Sequence, residues 1–242
     1  MTSTLFPSRP ELTAASIMDA GMRLYRLTVL PNLVLALPMV FAAQAPNMYR
    51  LSHAGRDPAW WALAIAGPVL SLLFWAALAQ RQAAAANGQA LGPGVAMLRA
   101  VSSIPQLVAL AVLSVAGIAG GLLLLIVPGL LAMLVALLAP YALVFEALRP
   151  LDACERARQL LKRRLGLCVA VTAMSFAVFL VFYIVFAVLG VMIAQGLGAD
   201  PLSERAWSAW AGCLAQALFA PMITAVLLTL FRGLVTTPAD QV

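Results

Sequence analysis

The chain has 242 residues, of which 64% are hydrophobic and only 10% are charged, with 15 Lys and Arg against 9 Asp and Glu. Soluble domains usually carry about 25% charged residues, so this composition excludes a lone soluble globule, and its hydrophobicity excludes extended disorder. The net charge of +6 comes from a few bases that lie between apolar runs, which favours a membrane rather than nucleic acid as the partner.

Six apolar runs are long enough to cross a bilayer, because a hydrocarbon core about 30 Å thick needs roughly 20 residues of helix. In chain order, the predicted spans cover about residues 27–45, 60–79, 104–127, 130–148, 165–195 and 206–231. Pro128 and Gly129 separate the third and fourth runs, and this helix-stopping pair predicts a tight turn at a membrane face. One long bent helix is the alternative for this stretch.

The sidedness of the basic residues distinguishes these two topologies. With six spans and a cytoplasmic N-terminus, the inner segments contain Arg9, Arg23, Arg26, Arg81, Arg99, Arg149, Arg156, Arg158, Lys162, Arg163, Arg164 and Arg232, and the outer loops contain Arg50, Arg56 and Arg205. Twelve inner bases against three outer ones satisfy the positive-inside rule. A merged third and fourth span would place the six bases of residues 149–164 on the side opposite the N-terminus.

Tryptophan positions independently indicate the same orientation. Trp60 and Trp61 begin the second span, and Trp207 and Trp210 begin the sixth. Both pairs fall at the predicted outer face, where indole rings prefer the headgroup level. The sequence therefore predicts an all-α membrane protein with six spans in one domain, 1–242, and with both termini in the cytoplasm of a bacterial inner membrane.

The segments before spans one, three and five have the pattern of amphipathic helices at the cytoplasmic face. On a helical wheel, the first segment places Ile17 and Leu24 on one side and Asp19 and Arg23 on the other. This pattern predicts a helix that lies in the membrane interface with its apolar side toward the lipid. The segment before span three, residues 94–103, is shorter and carries a single base.

The segment before span five, Pro150–Arg164, contains the densest basic cluster. Its apolar stripe consists of Leu151, Cys154, Leu161 and Leu165, and Arg158 points into that stripe. The candidate residues for binding anionic lipids or a partner protein are Arg156, Lys162, Arg163 and Arg164. A base near an anionic membrane surface contributes about 1 kcal/mol of attraction. The alternative is that these bases only fix the topology.

Glu146 is the one ionisable residue inside a predicted span, and a charge at the bilayer centre costs at least about 2.5–3.5 kcal/mol. Its position near the cytoplasmic end favours an ion pair, with Arg149 within reach, or contact with a basic amphipathic helix. The alternative is a contact with a coupling proton or a substrate. Asn32 and Gln216 are further polar residues in proline-containing spans, and broken helices can line transporter sites. Asn32, Glu146 and Gln216 therefore form a candidate intramembrane polar site.

Two stretches of the sequence carry a family resemblance. The first is Glu11–Arg26, with the sequence ELTAASIMDAGMRLYR. The second begins at Val127-Pro-Gly, continues through APYALVFE at residues 139–146 and ends with RPLDACERA at Arg149–Ala157. Both resemble bacterial proteins related to the membrane domain of glycerophosphoryl diester phosphodiesterases. The resemblance implies a six-span membrane module, which is sometimes fused to a soluble phosphodiesterase domain and whose own activity is largely uncharacterised.

The chain departs from this family pattern in two ways. Spans and short connectors use the whole chain, so we expect the catalytic domain to be absent and the phosphodiesterase activity not to transfer. Ala157 and Arg158 stand where the family tends to have Ser-Trp. The packing contribution of an aromatic side chain is therefore missing at this position.

The function predicted from these observations is that of a non-catalytic membrane protein, a structural or accessory module that engages lipids or partner proteins at its cytoplasmic face. The alternative is a small-molecule or lipid transporter with a pocket between the proline-broken spans. We expect no cofactor, no metal and no nucleic acid, and the expected partners are the bilayer, anionic lipids and possible protein partners. Gly117-x-x-x-Gly121 allows close helix approach, either within the bundle or in a homo-oligomer.

Overall fold

The computed structural model describes residues 12–53, 57–198 and 201–236, which form helices and connections without strands. The helices in these ranges are α1 (Ala14–Ser52), α2 (Pro58–Ala86), α3 (Pro93–Val101), α4 (Ile104–Leu124), α5 (Ile126–Glu146), α6 (Pro150–Arg163), α7 (Leu165–Gly196) and α8 (Pro201–Thr236). Six of them, α1, α2, α4, α5, α7 and α8, are long and apolar enough to cross a bilayer. The predicted all-α fold with six spans is confirmed.

The break between the third and fourth spans is at Leu125, and the prediction of a turn at Pro128 and Gly129 is wrong. Leu125 is extended, with φ −169° and ψ 154°, and α5 begins at the next residue. Pro128 is tolerated in the first turn of a helix, because its missing N–H would have no intrahelical partner there. Gly129 instead permits close packing of α4 on α5, since a Cβ added at Gly121 would lie 2.8 Å from the Gly129 Cα.

The first predicted amphipathic segment is not a separate helix at the membrane interface. Residues 14–26 form the beginning of the continuous helix α1, and Ile17 and Leu24 are buried within the bundle. Gly21 lies against α8, where an added Cβ would be 2.7 Å from the Val226 Cγ2. The apolar side continues into the buried side of the span through Thr28, one turn after Leu24. The face that we predicted to contact lipid therefore packs on α8.

Helices α1, α2 and α8 form the packed core of the bundle, and Tyr141 attaches α5 to it. The Tyr141 side chain is fully buried, and its hydroxyl donates a hydrogen bond to the Thr224 carbonyl oxygen of α8 at 3.3 Å. Its ring also contacts Trp75 of α2 edge-on, with 5.2 Å between the centroids, and Phe231 of α8 at 6.2 Å. The α4–α5 hairpin is thereby fixed to one side of the core, while α7 packs on α8.

The bundle has two chemically different ends. We call the end that carries α3 and α6 the basic end, and its described bases are Arg23, Arg26, Arg81, Arg99, Arg149, Arg156, Arg158, Lys162, Arg163, Arg164 and Arg232. The opposite, tryptophan end carries Trp60, Trp61, Trp207 and Trp210 with the bases Arg50 and Arg205. Arg9 and Arg56 lie outside the described residues. The assignment of the basic end to the cytoplasm stays a prediction.

Helices α3 and α6 are separate short helices before α4 and α7, but the buried side of α6 differs from the predicted stripe. The residues that α6 buries are Ala153, Ala157, Leu160 and Leu161. Of the predicted apolar stripe, Leu161 is buried and Cys154 is half-buried, while Leu151 and Leu165 are exposed. The small side chains of Ala153 and Ala157 allow close helix packing, and α5 is the main neighbour of α6. The contact of the apolar stripe with lipid stays a prediction.

Candidate functional site

Glu146 and Arg156 form an ion pair at the corner between α5 and α6. The Arg156 guanidinium donates to both carboxylate oxygens, with Nε 3.0 Å from Oε2 and Nη2 3.2 Å from Oε1. Both side chains are half-buried. The corner itself is made by Ala147, whose left-handed conformation, with φ 51°, redirects the chain from α5 toward α6. This geometry fixes the start of α6 relative to the end of α5.

The ion pair changes the set of candidate residues. Glu146 contacts a basic helix, as one of the two structural interpretations expected, but its partner is Arg156 and not Arg149. Arg156, which the sequence placed among the residues for binding anions, is therefore already engaged within the protein. Lys162 and Arg163 are exposed and Arg164 is half-buried. Within the described ranges, none of these three has a carboxylate within ion-pair distance.

A groove lies beside α6, between the α4–α5 hairpin and the side of α6 that does not contact the core. Its volume is about 680 Å³, and its walls are mainly apolar. Leu113 and Gly117 of α4 and Val135 of α5 form part of one wall, and Leu151 and Cys154 of α6 form part of the other. We call this space the α4–α6 groove.

Arg158 and Lys162 line the same groove, and no acidic residue lines it. They are four residues apart and therefore lie on one side of α6. Arg158 also forms an exposed ion pair with Glu155, with 3.0 Å between Nε and Oε2. Our site prediction included Lys162 but omitted Arg158. The helical wheel gave the missing signal, because it placed Arg158 among the apolar residues that line the groove.

Cys154 is the cysteine that lines the groove, and it is partly exposed. Burial by neighbouring groups raises the pKa of its thiol above the ordinary value. Cys168 and Cys213 are buried elsewhere in the bundle. Cys154 is therefore a natural position for a chemical probe of the groove.

Among the described residues, Asn32 and Gln216 of the predicted intramembrane polar site line different cavities. Asn32 lines a cavity of about 430 Å³ with Arg81, whose guanidinium donates to the carbonyl oxygens of Pro31 and Leu91. Gln216 lines other cavities and accepts a hydrogen bond from Gln44, with 3.0 Å between Nε2 and Oε1.

The spacing along α1 shows how far apart these two polar positions are. Gln44 follows Asn32 by 12 residues in the same helix, which corresponds to about 18 Å along its axis. Glu146 is engaged by Arg156 at the end of α5. Asn32 and Gln216 thus lie at different depths of the bundle, and Glu146 lies at the end of α5.

No group of three or more His, Cys, Asp and Glu side chains that could hold a metal ion occurs in the described part of the chain. The α4–α6 groove offers apolar walls and the two cations Arg158 and Lys162. Such an arrangement suits a molecule with an anionic group at one end and an apolar body.

No family model matches this chain, and no curated protein or solved structure is significantly similar to it. The resemblance to the membrane domain of glycerophosphoryl diester phosphodiesterases stays a prediction.

Proposed function

We propose that this chain is a non-catalytic membrane protein of the bacterial inner membrane, an accessory module that engages anionic lipids at its basic end. The observation that carries this proposal is the set of cations on and directly after α6. Lys162, Arg163 and Arg164 are near one another in the sequence and have no carboxylate partner among the described residues. The helix that presents them is fixed to the bundle by its buried alanine side and by the Glu146–Arg156 pair.

The uneven distribution of charge supports this orientation and this ligand. In the described ranges, the basic end holds eleven of the thirteen bases, and Arg50 and Arg205 are the two at the tryptophan end. Short loops rich in Lys and Arg remain in the cytoplasm. Each base near an anionic leaflet contributes about 1 kcal/mol of attraction. At moderate ionic strength, salt screens this attraction over distances longer than about 10 Å. We therefore place α6 at the cytoplasmic surface.

The test compares two double variants that each remove two arginines. The full chain is reconstituted in nanodiscs made from equal parts of phosphatidylglycerol and phosphatidylcholine, and the lipid around the protein is quantified by mass spectrometry. We expect enrichment of phosphatidylglycerol over empty discs, and a several-fold loss of this enrichment in R163A/R164A. The matched control is R50A/R205A at the tryptophan end, which should retain it.

The salt dependence gives a second readout of the same proposal. Because exposed charges are screened, the enrichment should fall as the salt concentration rises. Equal enrichment in the two double variants, or enrichment that does not respond to salt, would contradict an electrostatic role for the α6 cations.

A further inference from the structure

The α4–α6 groove extends from the basic end into the depth of the bilayer. Helices α4 and α5 are membrane spans, so the walls that they form lie at the level of the acyl chains. Gly117 follows Ile104, the first residue of α4, by 13 residues. At about 1.5 Å per residue, Leu113 and Gly117, the first and last groove residues of α4, lie about 14 and 20 Å into the helix. These depths are near the middle of a hydrocarbon core about 30 Å thick, so the α4 wall of the groove lies at the level of the inner ends of the acyl chains.

We propose that the α4–α6 groove binds one acyl chain of an anionic phospholipid, with the phosphate group beside Arg158 and Lys162. This inference rests on the proposed function, because it assumes that the basic end faces an anionic leaflet. It goes further by assigning a defined site for a single lipid molecule, in addition to general attraction at the surface. The groove volume of about 680 Å³ is within the range of small-molecule sites, about 300–1,000 Å³.

Charge complementarity identifies the headgroup. The two charged residues that line the groove are both cations, Arg158 and Lys162. The Arg158–Glu155 pair is exposed on both sides, so it is worth little and a phosphate can share or replace it. An arginine that is paired with phosphate forms strong charge-assisted hydrogen bonds. A zwitterionic headgroup brings its own ammonium close to these cations and is therefore the weaker ligand.

The groove wall contains a gap at Gly117 that the protein itself does not fill. A Cβ added at Gly117 would meet no atom within 4 Å, whereas Gly121, in the same Gly-x-x-x-Gly motif, packs against Gly129. The predicted internal packing of this motif is therefore found at Gly121 and not at Gly117. The missing side chain at Gly117 widens the groove at the depth of the acyl chains.

Gly120 provides a matched control for this gap. It is also in α4, and a Cβ added there would also meet nothing within 4 Å, but it does not line the groove. Leucine at either position adds the same volume to the same helix. Only G117L places that volume in the proposed acyl-chain site.

The experiment measures lipid that stays bound to the purified full chain. The protein is extracted in a neutral detergent, mixed with phosphatidylglycerol or phosphatidylcholine, and examined by native mass spectrometry. We expect one phosphatidylglycerol to remain bound to the unmodified chain and to G120L, and a loss of affinity of more than tenfold in G117L. R158A/K162A should bind phosphatidylglycerol no better than phosphatidylcholine. Equal retention by G117L and G120L would overturn the proposal.

A second measurement does not depend on a substitution in the groove wall. In the C168A/C213A background, Cys154 is the remaining thiol, and its reaction with a maleimide reports on access to the groove. Added phosphatidylglycerol should slow this reaction severalfold, and phosphatidylcholine should have a smaller effect. An unchanged rate would overturn the proposal even if G117L failed to fold. Retention of a fatty acid in preference to the phospholipid, or of a second copy of this chain, would contradict the proposed occupant.

The two proposals fail in different ways. The R163A/R164A nanodiscs test the proposal that the α6 cations attract anionic lipids at the surface. G117L leaves these arginines in place and tests only the groove. If G117L still holds its lipid while R163A/R164A loses enrichment, the groove proposal is wrong and the surface proposal stands. If R163A/R164A and R50A/R205A both keep full enrichment while G117L releases its lipid, the surface proposal is wrong and the groove proposal stands.

Discussion

Helix α8, in the core of the bundle, and helix α4, beside the groove, solve the same packing problem differently. In an apolar stretch of 18 residues, 72% of the residues of α8 are buried inside the bundle, whereas 17% are buried in the corresponding stretch of α4. Yet α4 is the more apolar of the two helices. In lipid, apolar side chains gain little from burial, so helices associate through close packing of small groups and through hydrogen bonds. The core side has such contacts at Gly21 and Thr224, while the groove side leaves space beside Gly117.

The largest expected effect is on the attachment between the two sides. Tyr141→Ala removes a fully buried ring that contacts α2 and α8 from α5. We expect the free energy of unfolding in detergent to fall by about 3 kcal/mol or more, as for other large core truncations. Phe182→Ala on the exposed side of α7 is the control and should change it little. A similar small loss in both variants would mean that Tyr141 does not hold the hairpin to the core.

The next effect contrasts the tight side with the open side by the same substitution. Gly21→Leu forces a side chain into α8, where a Cβ alone would be 2.7 Å from Val226, and overpacking of this kind costs about 1–3 kcal/mol. In Gly117→Leu the new side chain meets open space, and leucine replaces a poor helix former. The thermal unfolding temperature of this variant should therefore be unchanged or slightly raised. Thermal denaturation of the two variants checks this difference. Equal destabilisation would remove the distinction between a packed side and an open side.

The smallest effect concerns the corner that positions α6. Glu146→Gln breaks the half-buried pair with Arg156, and we expect a loss of about 1–2 kcal/mol in the free energy of unfolding. Glu155→Gln breaks the more exposed pair with Arg158 and should cost less than about 0.5 kcal/mol. Chemical denaturation measures both variants, and a double-mutant cycle with Arg156 isolates the pair. A larger loss of unfolding free energy in Glu155→Gln than in Glu146→Gln would show that the corner does not depend on the Glu146–Arg156 pair.

The number and order of the spans were predictable because they depend on local properties of the chain. Each span is a long apolar run of the sequence. Local signals did not give the pairing between runs. The stripe of Ile17 and Leu24 has the same pattern whether it faces lipid or α8, and only the approach of Gly21 to Val226 distinguishes these outcomes.

The candidate site was predictable in part for a similar reason. The concentration of bases around α6 is visible in the sequence, as is the special position of Glu146 in a span. The choice of Arg156 as its partner depends on the left-handed turn at Ala147. Glycine or asparagine usually occupies such a position, so the alanine gives no sequence signal for this turn. The groove needs three helices to meet, so no single stretch of sequence contains it.

The unequal lengths of the helices give the protein two different thicknesses. Helices α4 and α5 each have 21 residues, or about 32 Å, which matches a hydrocarbon core of about 30 Å. Helix α1 has 39 residues, or about 58 Å, so it extends well beyond both surfaces or tilts. As the membrane becomes thicker, hydrophobic mismatch therefore begins at the α4–α5 hairpin. Because the hairpin also forms a wall of the groove, we expect a thicker membrane to deform the lipid next to the groove before it affects the longer helices.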